Sequence, residues 1–330
     1  MRKNTLVAIM FALTVLVLCE GNAFARLPQS KCSQIKYSAP STNLKNYRTN
    51  RVEGQAVYAS PTAKWELGPG NDLCVNLFSR KNGDLVASVT TNGKGQFEFA
   101  NIAPGEYVLL SVAGDLQQIN IPIQIVSAAK VIRPGRLLLH LRENGDSRKS
   151  YVTRLTNLSL RKELLAMVEQ DQDIRNKLIE SGVDHPKKEI SARMVEIDSR
   201  NTAKMERIVK QYNWPRAELV GWDGTEAAFM VVQHSPHSFQ KDLLPLMQKE
   251  YMAGHLSGPN YALFLDRVLA EDGRPQVYGS SAKGFNKDGE PILYPIEDEA
   301  NVDKRRAEVG LSPLAEYREM LKQMYHPQSK

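Results

Sequence analysis

His234 and His237, two of the six histidines, stand three residues apart in the stretch Gln-His-Ser-Pro-His, just after the apolar run Ala-Ala-Phe-Met-Val-Val. An imidazole changes charge near neutral pH, so a histidine beside a carboxylate is a candidate general acid or base. Downstream, Asp266 and Arg267 interrupt a second apolar run, and Gln276, Tyr278, Asp298, Asp303, Arg305 and Arg306 follow. Buried charges are costly unless paired, so such a set either knits an internal ion-pair network or faces a ligand. As an enzyme, the chain is expected to use His234 as general acid or base, oriented by Asp266 or Asp298, with an arginine stabilising developing charge. As a binding module, it is expected to hold a small ligand with Gln233, Arg267, Gln276, Tyr278, Asp298, Asp303, Arg305 and Arg306.

Several chemistries find no support. His234 and His237 straddle a helix break, so they lack the one-face spacing of a helical metal motif. His140 and Glu143 have a zinc-ligand spacing, with His255 as a nominal third ligand. They fall in a strand and turn, however, where residues three apart point to opposite faces. There is no nucleophile elbow, phosphate-binding loop or nucleophilic cysteine pattern. No metal and no cofactor are expected.

The elements that must position these groups begin after an export signal. Arg2 and Lys3 precede the uncharged run Leu-Val-Ala-Ile-Met-Phe-Ala-Leu-Thr-Val-Leu-Val-Leu, and Ala23-Phe24-Ala25 supplies a cleavage pattern. The run falls short of the ~20 residues of a membrane span, so residues 1–25 read as a signal peptide and the mature chain has no transmembrane anchor. The protein is expected to be periplasmic or secreted. An oxidising compartment favours a disulfide between Cys32 and Cys74, the two cysteines remaining after cleavage. The net charge of +6 is spread among many acids and forms no basic stripe, which argues against nucleic acid as a partner. A small ligand or an envelope protein is the expected partner.

After an extension over 26–50, residues 51–145 alternate short apolar runs with Asn-Gly and Pro-Gly turn signals, which predicts an antiparallel β-sandwich. The order Val-Glu-Gly-Gln-Ala-Val-Tyr-Ala, Leu-Cys-Val-Asn-Leu-Phe-Ser and the run from Thr91 to Tyr107 resemble the carboxypeptidase regulatory-like domain, a small transthyretin-like sandwich. That resemblance implies no catalytic residues in this half, and a role in packing or in presenting surface loops.

Residues 150–330 change to a period near 3.6, which predicts a mainly α-helical domain. Ser235 as N-cap and Pro236 at the first helical position are expected to restart the chain after His234. Arg274–Ser280 and Glu290–Ile296 read as two short strands joined by Asn-Lys-Asp-Gly. Gln233-His234, Asp266-Arg267, the run from Arg274 to Gly279 and that from Pro295 to Tyr317 are similar to a bacterial domain of unknown function, number 6624. The resemblance implies a fold and boundaries but no activity; His237 departs from it, standing near where an acidic residue often follows the Gln-His pair. The expected whole is an α+β, two-domain exported protein, acting as a binding or interaction module of the periplasm or cell envelope. The alternative is an envelope hydrolase-like enzyme built on His234, Asp266 and a supporting arginine.

Overall fold

The computed structural model describes Cys32 and residues 35–37, 47–59, 68–112, 117–127, 136–142, 150–181, 187–286 and 288–325. The signal-peptide segment 1–25 and Glu143 lie outside the described residues. Two compact units are formed: a sheet unit, which ends at Arg161 but also takes in Arg216–Asp223, and a helical unit of Lys162–Pro215 and the chain from Gly224.

Among the described residues the sheet unit holds two five-stranded sheets. One has the order β1 (Tyr47–Thr49), β8 (Ile119–Ile125), β7 (Gly105–Val112), β4 (Cys74–Ser79), β5 (Leu85–Thr90). In the other, β10 (Tyr151–Arg154), β9 (Leu137–Arg142), β2 (Val52–Ala59) and β3 (Gly68–Pro69) are neighbours, and β6 (Gln96–Phe99) also pairs with β2. Val75, Leu77 and Leu109 of the first sheet share one buried cluster with Ala56, Tyr58 and Leu139 of the second, so the core lies between the sheets.

The sheets are mixed rather than antiparallel: β1 runs parallel to β8 and β2 parallel to β9. Asn-Gly turns report only on neighbouring strands, whereas both parallel pairs join strands remote in sequence. The turn chemistry itself is as the residues require. Gly95 adopts φ +71°, and a Cβ there would run into the Ala56 carbonyl, while its own carbonyl accepts from the Ala56 N–H at 2.8 Å. The buried Thr91 hydroxyl accepts from Leu73 N–H and donates to the Gly70 carbonyl. The outer face of β4 is covered by Cys32 and residues 35–37. Cys32 and Cys74 stand at disulfide distance with Cα atoms 5.3 Å apart, Asn76 donates to the Cys32 carbonyl, and Tyr37 meets Phe78 edge-on.

Among the described residues eight α-helices follow: α1 (Leu158–Glu180), α2 (Lys188–Tyr212), α3 (Ala217–Val220), α4 (Trp222–Gln233), α5 (His237–Met252), α6 (Gly258–Glu271), α7 (Val302–Glu308) and α8 (Leu314–Tyr325). Asn157 caps α1 and Ser257 caps α6, each accepting from the backbone N–H three residues on. In α4 nearly every residue from Gly224 to Gln233 is buried, as its continuous apolar run requires. Ser235 does not cap α5: its hydroxyl donates to the Val231 carbonyl, and Pro236 precedes the first helical residue, His237. The amide of Gln240, reaching back from α5, instead donates to the carbonyls of Val232, Gln233 and Ser235 and so satisfies the C-terminal end of α4.

The hairpin pairs β11 (Ala282–Phe285) with β12 (Pro291–Leu293), so its first strand begins after the expected Arg274–Ser280 run. The Asp266 carboxylate accepts from the N–H groups of Val277, Tyr278 and Ser280, which removes those donors from any strand ladder.

Candidate functional site

The polar residues separate into two groups. The first is a clamp around residues 276–281. Asp266 is fully buried and also accepts from the Ser280 hydroxyl at 2.8 Å. The buried Gln276 amide donates to the Ser281 and Tyr294 carbonyls and accepts from Ser281 N–H. Arg305 donates to the carbonyls of Val277, Glu297 and Asp298, and its guanidinium lies 3.6 Å from the Asp298 carboxylate. Arg306, 0 % exposed, donates to the Tyr278 and Ser312 carbonyls and lies over the Tyr317 ring. Asp303 accepts from Leu314 N–H at the start of α8, and the Tyr278 side chain packs against Ala262, Val309 and Leu311. These groups hold the chain to itself, which a buried charge among carbonyls and N–H groups does well.

The second group centres on His234. Its Nδ1 lies 2.9 Å from both carboxylate oxygens of Asp171, and the two side chains are 3 % and 1 % exposed. The carboxylate that orients the ring is therefore Asp171 of α1, not Asp266 or Asp298. Arg175, one turn further along α1, donates to Asp171 at 2.7 Å and grips both oxygens of Asp198 on α2 at 2.9 and 3.1 Å. From α6, Arg267 approaches the Gln233 side-chain amide oxygen at 3.5 Å and Glu271 at 3.5 Å.

The electrostatics fix the protonation state. Burial, then the Arg175 charge, hold His234 down to about 4 against the pull of Asp171. Burial pushes the Asp171 carboxyl up, but the bond from His234 and the Arg175 cation outweigh it and leave it below the usual carboxylate range. At neutral pH the ring is thus uncharged, its Nδ1–H donates to Asp171, and Nε2 carries a lone pair. Among the described residues, none is hydrogen-bonded to that Nε2, and Gln233 Nε2 and Arg175 Nε are buried donors without an acceptor.

His237 belongs elsewhere. Its Nε2 lies 2.8 Å from Asp272 and its Nδ1 3.5 Å from Glu271 at the end of α6, so the two histidines address different carboxylates. Among the described residues no group of three or more His, Cys, Asp or Glu could hold a metal ion. His140 in β9 is buried with Nε2 2.9 Å from the Thr153 hydroxyl.

A further carboxyl, Glu226, lies nearer the start of α4. Glu226 accepts from the Asn260 amide at 2.9 and 3.2 Å, and burial raises its carboxyl to about 7. The pairs Glu226–Asn260 and Gln233–Arg267 share one sequence offset of 34 residues, so α4 and α6 run side by side in the same direction, with α5 as the return.

Asp171 had a sequence signal that the length of its charged surroundings hides. Leu160, Leu164, Met167, Asp171, Ile174 and Leu178 recur at three- and four-residue steps on α1 and are all buried, so Asp171 occupies a core position of an amphipathic helix. No curated protein and no solved structure matches the chain. Among described residues no helix is long and apolar enough to cross a membrane. Residues 158–330, more than half of the chain, match the model of a family of unknown function, DUF6624, and this protein is a member of that family.

Proposed function

We propose that this is an exported protein of the cell envelope whose helical unit carries an acid–base centre, with His234 Nε2 as the proton acceptor and Asp171 as the group that orients the ring. The observation that carries it is the neutral imidazole locked through Nδ1 to Asp171, with its other nitrogen unclaimed. A general base needs that tautomer and that lone pair. Arg175, bonded to Asp171, keeps that carboxylate ionised and in place beneath the ring. The reaction class is hydrolysis by general base. The Cys32–Cys74 pair at disulfide distance supports export. The sheet unit, with two sheets over one core and the Thr91 to Tyr107 run at its turn, supports a regulatory-like domain that contributes no catalytic group.

A binding module without turnover is the second reading, favoured by the 3 % exposure of the His234 side chain. Its ligand would hydrogen-bond to Nε2 without losing a proton to it.

Acylation by diethyl pyrocarbonate tests the proposal without a known substrate, because the reagent attacks an unprotonated imidazole. Peptide mapping of the full chain should find His234 carbethoxylated, with a rate half-maximal near pH 4, where the ring gains its proton. A His234 that stays unmodified while His237 and His255 react would remove the acid–base reading and leave the binding one.

A further inference from the structure

We infer that Asp198 of α2 is a positioning residue for the proposed acid–base centre, acting on His234 through Arg175 and Asp171. The inference rests on the reading of His234 as a base, and it concerns a residue that does not touch the ring.

Four side chains form one series of charged hydrogen bonds from α2 through α1 to the end of α4. Arg175 donates through Nη2 to both oxygens of Asp198, at 2.9 and 3.1 Å. Its Nη1 donates to Oδ1 of Asp171 at 2.7 Å, and both oxygens of Asp171 lie 2.9 Å from His234 Nδ1. A guanidinium is a rigid planar fork, so whatever holds one arm sets the direction of the other. With Nη2 seated on Asp198, Nη1 reaches a single oxygen of Asp171, and Oδ2 is left to the imidazole and the Gln172 amide. Without the Asp198 charge, Asp171 is the one carboxylate left to Arg175, and the favoured grip on a lone carboxylate is two-armed. Such a grip competes with Nδ1–H for both oxygens and loosens the ring.

The charges act in the same sense. Asp171 and Arg175 of α1 and Arg267 of α6 act directly on His234. Each of these arginines has an outer carboxylate, Asp198 for Arg175 and Glu271, at 3.5 Å, for Arg267. Removing Asp198 leaves one of the two cations beside the ring without its outer anion. Asp198 is also the member of the series that meets solvent, 20 % exposed where the other three are 3 % or less. Burial raises its carboxyl above the ordinary value, whereas Asp171 lies below it, so Asp198 is the first of the two to take up a proton on acidification.

One turn further along α2, the Thr202 hydroxyl lies 3.1 Å from that of Ser235, the residue after His234. This second contact of α2 carries no charge and serves as a control.

Long-range ¹H–¹⁵N NMR of the full chain at pH 7 tests the inference. In Asp198→Asn and in Asp198→Ser, each checked for fold by its urea midpoint, about a fifth or more of the His234 rings should become protonated at Nε2 instead of Nδ1. Asp198→Glu should restore the wild-type ring, and Thr202→Val should leave it unchanged. A wild-type ring in both neutral variants overturns the inference and leaves the acid–base reading standing. So does a Thr202→Val ring that shifts as far, which would assign the effect to helix packing. A ring that lacks the Nδ1 proton in the wild type overturns both.

Discussion

Asp171 and His234 are 63 residues apart in sequence, and the carboxylate of one meets Nδ1 of the other at 2.9 Å inside the helical unit. The contact ties α1 to the end of α4, and Arg175 extends it to α2 through Asp198. Removing the charge of Asp171 leaves Arg175, itself 3 % exposed, with half of its ionic partners. Asp171→Asn should therefore destabilise the chain by about 3 kcal/mol, the low end for a broken buried pair because Asp198 remains. Urea unfolding at pH 7.5 measures it.

Glu226 within α4 and His234 just past its end titrate in opposite senses. His234 is held near 4 in the folded chain against 6.5, so the unfolded chain takes up the proton first as pH falls. Its contribution is complete above pH 6.5 and is lost as pH falls through about 4. Glu226 is raised to about 7 from 4.5, so its contribution is complete below 4.5 and is lost as pH rises through about 7. Each shift corresponds to about 3 kcal/mol. The wild type should thus show little change in urea midpoint between pH 4.5 and 6.5 from these groups, Glu226→Gln should gain stability steadily as pH rises, and His234→Gln should lose it. Midpoints at five pH values separate the three.

Much of this was legible from residue types. The Asn-Gly turns, the change of period after residue 150 and the apolar run of α4 each follow from short-range rules, and the structure has the elements they require. The parallel pairings of β1 with β8 and β2 with β9 were not legible, because nothing local to a strand states which distant strand it joins. His234 stood out, but its partner did not: Asp171 lies among Glu169, Gln170, Gln172 and Asp173, which read as a solvated face. The Arg274–Ser280 stretch has the composition of a strand, and it takes one carboxylate at Asp266 to bend it into a loop.

The clamp and the His234 centre should respond independently. Asp266→Asn replaces an oxygen pair by a single acceptor, so amide exchange at Val277, Tyr278 and Ser280 should accelerate more than tenfold, with a loss of about 2 kcal/mol. The pH at which His234 titrates should not move. Exchange mass spectrometry and histidine NMR read the two effects in one variant.

Cys32 and Cys74 are separated by 42 residues. Closing a loop of that size lowers the entropy of the unfolded chain enough to stabilise the fold by about 4 kcal/mol in the chain-entropy model. Cys32→Ser with Cys74→Ser should lower the stability of the sheet unit by that order, read from near-ultraviolet circular dichroism during unfolding. The His234 titration should be unchanged.

The central claim is the state of one ring, and long-range ¹H–¹⁵N NMR of the full chain reads it directly. Between pH 5.5 and 8 His234 should show a protonated Nδ1 and an unprotonated Nε2, with the imidazolium appearing only as the pH approaches about 4. An imidazolium at pH 7, or a ring protonated at Nε2 instead, would contradict the account, since neither leaves the lone pair that an acid–base centre requires.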